Sequence, residues 1–264
     1  MKLDKALKQK LEYHYKAFDK SKLEPDPLQF PHKYKKKNDI ELIAFISSIF
    51  AYGNIKQIIN TLNKITLILG EHPTNYLIEK NKAVIKRDFK GIVHRFFTDE
   101  DIINLLLLLK NIYSKPNSLE NIFLSNYDPK AYNIKSALES FSKYMLKFSN
   151  NLLGEENMTQ GIKFMFPLPL KGSVCKRMNL FLRWMVRKDE LDLGLWREVD
   201  KSKLIIPVDT HIARICKGLK LTKKKNVNWN MAEEITNNLK KFDPKDPVKY
   251  DFAICHIGMR KLKF

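Results

Sequence analysis

Apolar residues recur at helical spacing along almost the whole chain, and no segment alternates polar and apolar residues as a half-buried strand requires. That periodicity predicts an all-α fold. Leu3, Leu7, Leu11 and Tyr15 keep one face of an N-terminal helix apolar, with lysines opposite. A connector bearing Pro25, Pro27 and Pro31 follows, then the basic run Lys35, Lys36 and Lys37. Asn38 or Asp39 can cap the next helix, whose body Ile40–Phe50 is apolar almost all round and belongs at the centre of a core. Gly53 ends it, and Asn54 caps a second amphipathic helix closed by Gly70. Thr98 and Asp101 form a capping-box pattern ahead of the leucine run 105–109. Further helices are expected around 118–125 and 131–149, followed by a polar loop over 150–160. An irregular connector is expected over 188–206, then a helix capped by Asn228 and a last one over Val248–Met259.

At 264 residues, 44% of them hydrophobic, the chain can bury one sizeable core or two lobes sharing an interface. No stretch approaches the roughly 18 consecutive apolar residues of a membrane span. The N-terminus lacks the apolar core of a signal peptide, so a cytoplasmic location is expected. With 48 basic against 29 acidic residues the net charge is +19, which favours a polyanionic partner, nucleic acid first. Cys175, Cys216 and Cys255 lie far apart, with no CxxC pair, zinc spacing or iron–sulfur pattern. Three buried, reduced thiols and no metal or other cofactor are expected.

Two segments carry chemistry. The first, Pro169-Leu170-Lys171-Gly172-Ser173-Val174-Cys175-Lys176-Arg177, sets a lysine at the start of a helix just past a glycine turn. Exposed backbone N–H groups at such a turn suit a phosphate, and Lys176, Arg183 and Arg187 share a helix face that would form an adjacent basic stripe. The second, Pro207-Val208-Asp209-Thr210-His211-Ile212-Ala213-Arg214, sets a carboxylate at the start of another helix, where Asp209 serves as an N-cap. Its second oxygen stays available to a cleft. Taken singly, the two segments read as an ordinary helix corner and an ordinary cap.

Together they resemble the helix-hairpin-helix DNA glycosylases, the superfamily of endonuclease III and the 8-oxoguanine glycosylases. The family hairpin, Leu-Pro-Gly-Val-Gly-x-Lys-Thr-Ala-Asn, aligns with Leu170–Asn179, and its later Val-Asp-Thr-His with Val208–His211. Val174 stands where the second hairpin glycine would be, the interval from Lys176 to Asp209 is longer than in endonuclease III, and the iron–sulfur cysteines are absent. The chain therefore looks more like the archaeal-type 8-oxoguanine glycosylases, or an uncharacterised bacterial family beside them.

The resemblance implies a two-lobed helical fold with its active cleft between lobes. One lobe would be residues 39–187 and the other 1–38 plus 188–264. It implies Lys176 as the nucleophile and Asp209 as the catalytic aspartate of a bifunctional DNA glycosylase and abasic-site lyase. The substrate would be duplex DNA with a flipped damaged base, an oxidised purine such as 8-oxoguanine, handled by a nucleoid-associated monomer with no membrane contact. Lys171, Gly172, Ser173, Val174, Cys175, Arg177, His211 and Arg214 are the expected DNA contacts. Tyr52, Phe252 and His256 are the expected base-pocket residues, the last two sharing a face at four-residue spacing. The alternatives are a non-catalytic nucleic-acid binder on the same scaffold, or a glycosylase for another damaged base.

Overall fold

The computed structural model describes residues 4–260, and Leu3 lies outside them. It is all-α: among the described residues there is no strand, only isolated bridges at His94–Phe97 and Lys188–Leu193. The helices are α1 (Lys5–Ala17), α2 (Lys37–Phe50), α3 (Ile55–Leu69), α4 (Pro73–Glu79), α5 (Lys82–Phe89), α6 (Asp99–Tyr113) and α7 (Leu119–Leu124). They continue as α8 (Lys135–Leu153), α9 (Gln160–Met165), α10 (Lys176–Val186), α11 (Thr210–Gly218), α12 (Trp229–Leu239) and α13 (Asp251–Met259).

The chain forms two compact units. The central unit holds Glu24–Tyr127 and Ala137–Pro167; the outer unit holds the residues up to Leu23, Asp128–Ser136 and those from Leu168 onward. These boundaries differ from a division at residues 38 and 187. Leu28 and Phe30, wholly buried in the proline connector, belong to the central unit with α2, and α10 belongs to the outer unit. Lys176 and Asp209 therefore lie in the same unit.

In the central unit, α2 packs against α3, α4 and the 3₁₀ turns at Pro27–Gln29 and Pro31–Lys33. Its near-continuous apolar surface is buried on every side, as its sequence predicts. Its capping is different. Neither Asn38 nor Asp39 caps α2; Lys36 stands at that position, and no side chain bonds the first turn. Buried Asp39 instead accepts the Thr74 N–H at 2.8 Å, and so caps α4. Glu41 similarly accepts the Leu119 and Glu120 N–H groups of α7 at 3.0 and 3.2 Å and the Tyr113 hydroxyl at 2.6 Å. Two acids that would be expensive to bury alone are satisfied by helix ends distant in sequence.

Local caps follow the sequence. Asn54 accepts from Lys56 N–H, Gly70 ends α3 with φ +68°, and Asn228 accepts from Met231 N–H. Thr98 and Asp101 complete the capping box of α6. Asp101 also accepts the Thr159 hydroxyl, while Thr159 itself caps α9 through Ile162 N–H. A Cβ on Gly161 would collide with the Asp101 carboxyl. Thr98→Ala should cost about 1 kcal/mol. Gly161→Ala should cost more, about 2 kcal/mol, because it breaks both helix ends at once. Urea midpoints at constant slope check the order.

Candidate active site

The turn before α10 is built from a 3₁₀ step, Pro169–Lys171, and Gly172 in the left-handed region at φ +84°. Space around Gly172 is open, so glycine is required there for its dihedral alone. The Gly172 carbonyl accepts the Trp229 N–H at 3.2 Å, which anchors the turn to α12. Val174 is not left-handed; that conformation falls on Cys175, at φ +50°. A β-branched residue resists positive φ, and the left-handed residue of this turn is Cys175 rather than Val174. Ser173 Oγ accepts Cys175 N–H at 3.3 Å, and Asn179 Nδ2 donates to the Val174 carbonyl at 3.1 Å. Lys176 is then the first residue of α10, half-buried. No side chain caps this helix.

Asp209 is the N-cap of α11. Its Oδ1 accepts His211 and Ile212 N–H groups, both at 2.9 Å, and its Oδ2 lies 3.9 Å from Cys255 Sγ on α13. Helices α11 and α13 cross closely at Gly258, where a Cβ would meet His211 Cβ at 2.9 Å and Ile215 Cδ1 at 3.1 Å. Arg214 Nη2 donates to the Gly258 carbonyl at 3.2 Å across the same crossing. The packing brings α13 to the Asp209 end of α11.

That contact exposes a residue the sequence reading missed. Asp251, 2% exposed at the start of α13, accepts from Arg183 through Oδ2, and its buried Oδ1 has no hydrogen-bond partner. Burial pushes its carboxyl up to about 6, and Arg183 partly offsets that rise. The negative charge of Asp209 raises it further, while the positive charge of Lys176 lowers it. Asp251 thus sits in the fields of both Lys176 and Asp209. Burial, then Asp251 and Asp209, also raise the Cys216 thiol, keeping it inert.

Arg183 and Arg187 do not form a basic stripe for phosphate. They are 2% and 3% exposed and paired with aspartates. Arg183 bonds Asp192 and Asp251; Arg187 bonds Asp192, Asp189 at 2.9 Å and Asp246 at 2.7 Å. Their partners come from the 188–206 connector and the turn before α13, so a segment without periodicity is held by charge. Tyr15 on α1 donates to Asp189 at 3.1 Å.

Of the other expected contacts, Lys171, Gly172 and Arg214 are exposed, and Ser173, Val174 and His211 are half-buried. Arg177 and Cys175 are buried, at 5% and 1%, and so offer no side chain to a phosphate. Cys216 is buried as expected, whereas Cys255 is half-buried; none of the three cysteines is in a disulfide among the described residues. Phe252 and His256 do share a face of α13 and stack with centroids 3.9 Å apart. They are buried under Phe18 at the end of α1, with the Arg183 guanidinium 5.9 Å from the Phe252 ring centre, and not open to a base. In the central unit Tyr52 is exposed, edge-on to Phe96 and Phe164, with Arg95 over its ring at 4.6 Å. All three rings are at least 39% exposed, an apolar patch of which only Tyr52 stood out in the sequence.

Charge is unevenly divided. The outer unit carries 31 basic and 15 acidic residues and the central unit 17 and 14. Fold and site together define an all-α protein with an amine and two carboxylates gathered at helix ends in its basic unit. The chain belongs to the family described as "Protein of unknown function (DUF2400)", whose model matches residues 26–260 and so spans all of these groups. No curated protein and no solved structure matches it.

Asp192→Ala should cost about 3 kcal/mol, because it uncovers two buried guanidinium groups. Chemical unfolding checks this. A second outcome concerns pH. Because the Asp251 carboxyl rises from 3.8 to about 6 on folding, its contribution to stability falls as pH increases across that window. The stability of the protein minus that of Asp251→Asn should therefore decline by about 3 kcal/mol in all between about pH 3 and about pH 7, then flatten.

Proposed function

We propose that the protein is a DNA N-glycosylase with abasic-site lyase activity on a helix-hairpin-helix glycosylase scaffold. The observation that carries the reading is the grouping, within one unit, of Lys176 at the head of α10 and Asp209 at the head of α11, both felt by buried Asp251. The matching of Val208–His211 and of the lysine turn to the superfamily motifs supports it.

In this reaction Asp209 takes a proton from Lys176, and the neutral amine attacks C1′ of a flipped nucleotide. The C1′–N bond breaks, its electron pair leaves with the base, and the base takes the proton that Asp209 received, which returns Asp209 to its carboxylate. Asp209, held rigid by its two cap bonds, stabilises the cationic sugar through Oδ2. Opening of the sugar ring gives an imine to Lys176. Loss of a C2′ proton then expels the 3′-phosphate by β-elimination. Water finally hydrolyses the imine. An oxidised purine, 8-oxoguanine first, is the proposed lesion, and a nucleoid-associated monomer the proposed form. The exposed Tyr52, Phe96 and Phe164 rings with Arg95 have the chemistry to stack on unpaired bases.

Buried Arg177 and the shift of the left-handed residue to Cys175 favour a second reading, a nucleic-acid binder without catalysis. Borohydride trapping on duplexes bearing 8-oxoguanine, other lesions or an abasic site separates the two. The expected result is a covalent adduct with the 8-oxoguanine duplex that Lys176→Ala abolishes and Asp209→Asn slows by about 10²–10⁴-fold. Absence of both a Lys176-dependent adduct and base release, with duplex binding intact, would leave the binder. Base release that survives Lys176→Ala and is lost in Asp209→Asn would identify a monofunctional enzyme.

A further inference from the structure

Residues 217–225, at the far end of α11 from Asp209, contain five lysines and no acid: Lys217, Lys220, Lys223, Lys224 and Lys225. All five are exposed, yet the loop that carries them is tightly tied. Leu221 is wholly buried, and its N–H donates to the Cys216 carbonyl at 2.8 Å. The Leu221 carbonyl accepts Asn238 Nδ2 from α12, also at 2.8 Å. Glu234, also on α12, accepts the Thr222 hydroxyl at 2.5 Å and the Lys223 N–H at 3.2 Å. Thr222 Oγ1 in turn accepts the Lys224 N–H at 3.1 Å. Lys217 Nζ donates to the Lys225 carbonyl at 2.8 Å and closes the loop.

Glu234 is held by a hydroxyl and two backbone N–H groups of the loop, and its charge acts on Lys224. Among the described residues, Lys220, Lys223, Lys224 and Lys225 enter no ion pair. Four ammonium groups on a fixed loop form a cationic ridge that loses little loop entropy when it meets a rigid polyanion.

We infer that this ridge is a second grip on the phosphate backbone of duplex DNA, displaced along the duplex from the lysine–aspartate site. The choice of DNA rests on the function proposed above, and geometry supplies the spacing. The nine residues of α11 rise about 1.5 Å each, which puts the ridge roughly 13 Å from Asp209. One strand of B-DNA presents a phosphate about every 3.4 Å of axis, so the ridge meets the backbone about four steps from the nucleotide at Asp209. Contacts there carry no sequence or lesion information; they set affinity, register and salt dependence.

The test uses the full-length protein and an undamaged duplex, with anisotropy titrations from about 50 to 200 mM salt. Replacing Lys223, Lys224 and Lys225 together by glutamine should lower the slope of log K against log salt by about 2 to 3. The exposed lysines Lys56, Lys64 and Lys82 of the central unit, replaced in the same way, should leave the slope unchanged. An equal slope in the ridge variant, or an equal drop in both variants, overturns the inference. So does a loss confined to an RNA hairpin or to phosphatidylserine vesicles. Undamaged duplex needs no catalysis to bind, so the arms separate. Failure of the wild-type protein to give either a trapped adduct or base release removes the glycosylase reading, whereas the slope comparison still decides the ridge.

Discussion

Two arginines one turn apart on α10 hold the outer unit together. Arg183 and Arg187 gather Asp189, Asp192, Asp246 and Asp251 into a buried network that joins α10 to the connector and to the start of α13. Burying so many charges costs several kcal/mol per ion before pairing, so such a network contributes little net stability compared with an apolar core. What it contributes is position. A guanidinium with partners on fixed sides admits one arrangement of those partners, and the face of α10 is thereby set against α13. Burial pushes the Asp192 and Asp251 carboxyls upward against the arginines, with Asp189 adding to the first rise and Asp209 to the second. The site inherits its electrostatics from its scaffold: Asp251 is at once a member of the network and a buried carboxyl in the fields of Lys176 and Asp209.

The same network changes how the net charge should be read. A helical face bearing Lys176, Arg183 and Arg187 looks like a phosphate-binding stripe when only spacing is known. Its two arginines face inward, and Arg177 is buried beside them. The cations left to meet a polyanion are mostly lysines of the turn before α10 and of the loops flanking α12. This follows the different chemistry of the two side chains. The planar guanidinium, with five donors, satisfies several buried carboxylates, whereas the strongly hydrated ammonium stays in water. The charge of the chain is real, but Arg177, Arg183 and Arg187 are buried and only Arg214 near the site is exposed.

Legibility in the sequence divides along the same line. Caps were readable because their chemistry is local: Asn54, Asp209 and Asn228 bond an N–H two or three residues away. The capping box of Thr98 and Asp101 was readable for the same reason. Asp39 misled because a buried acid at a helix start looks like a cap, and its partner, Thr74, lies 35 residues on. Helices α4, α5 and α9 passed unread, being too short for periodicity to register. Pro73 at the first position of α4 and Asn81 capping α5 were the available signals. The Phe252–His256 pairing was legible as a four-residue step, but its burial under Phe18 depends on α1, more than two hundred residues away. Asp251 could not have been found from spacing, since what makes it unusual is desolvation.

The turn before Lys176 shows how a departure from a motif can be absorbed. Valine in place of the second glycine cannot take the left-handed conformation cheaply, at roughly 1–2 kcal/mol for a residue with a Cβ. Cys175 takes it instead, and its position adjacent to Lys176 means that the strained residue itself launches α10. Three contacts steady it: Ser173 Oγ with Cys175 N–H, Cys175 Sγ with the Ser173 carbonyl at 3.4 Å, and Asn179 Nδ2 with the Val174 carbonyl. Because Cys175 is buried, its side chain fixes the turn from beneath while Lys171 and Gly172 stay at the surface. Gly172 has a dihedral reason to be glycine, and the bend at Cys175 decides where Lys176 leaves the backbone.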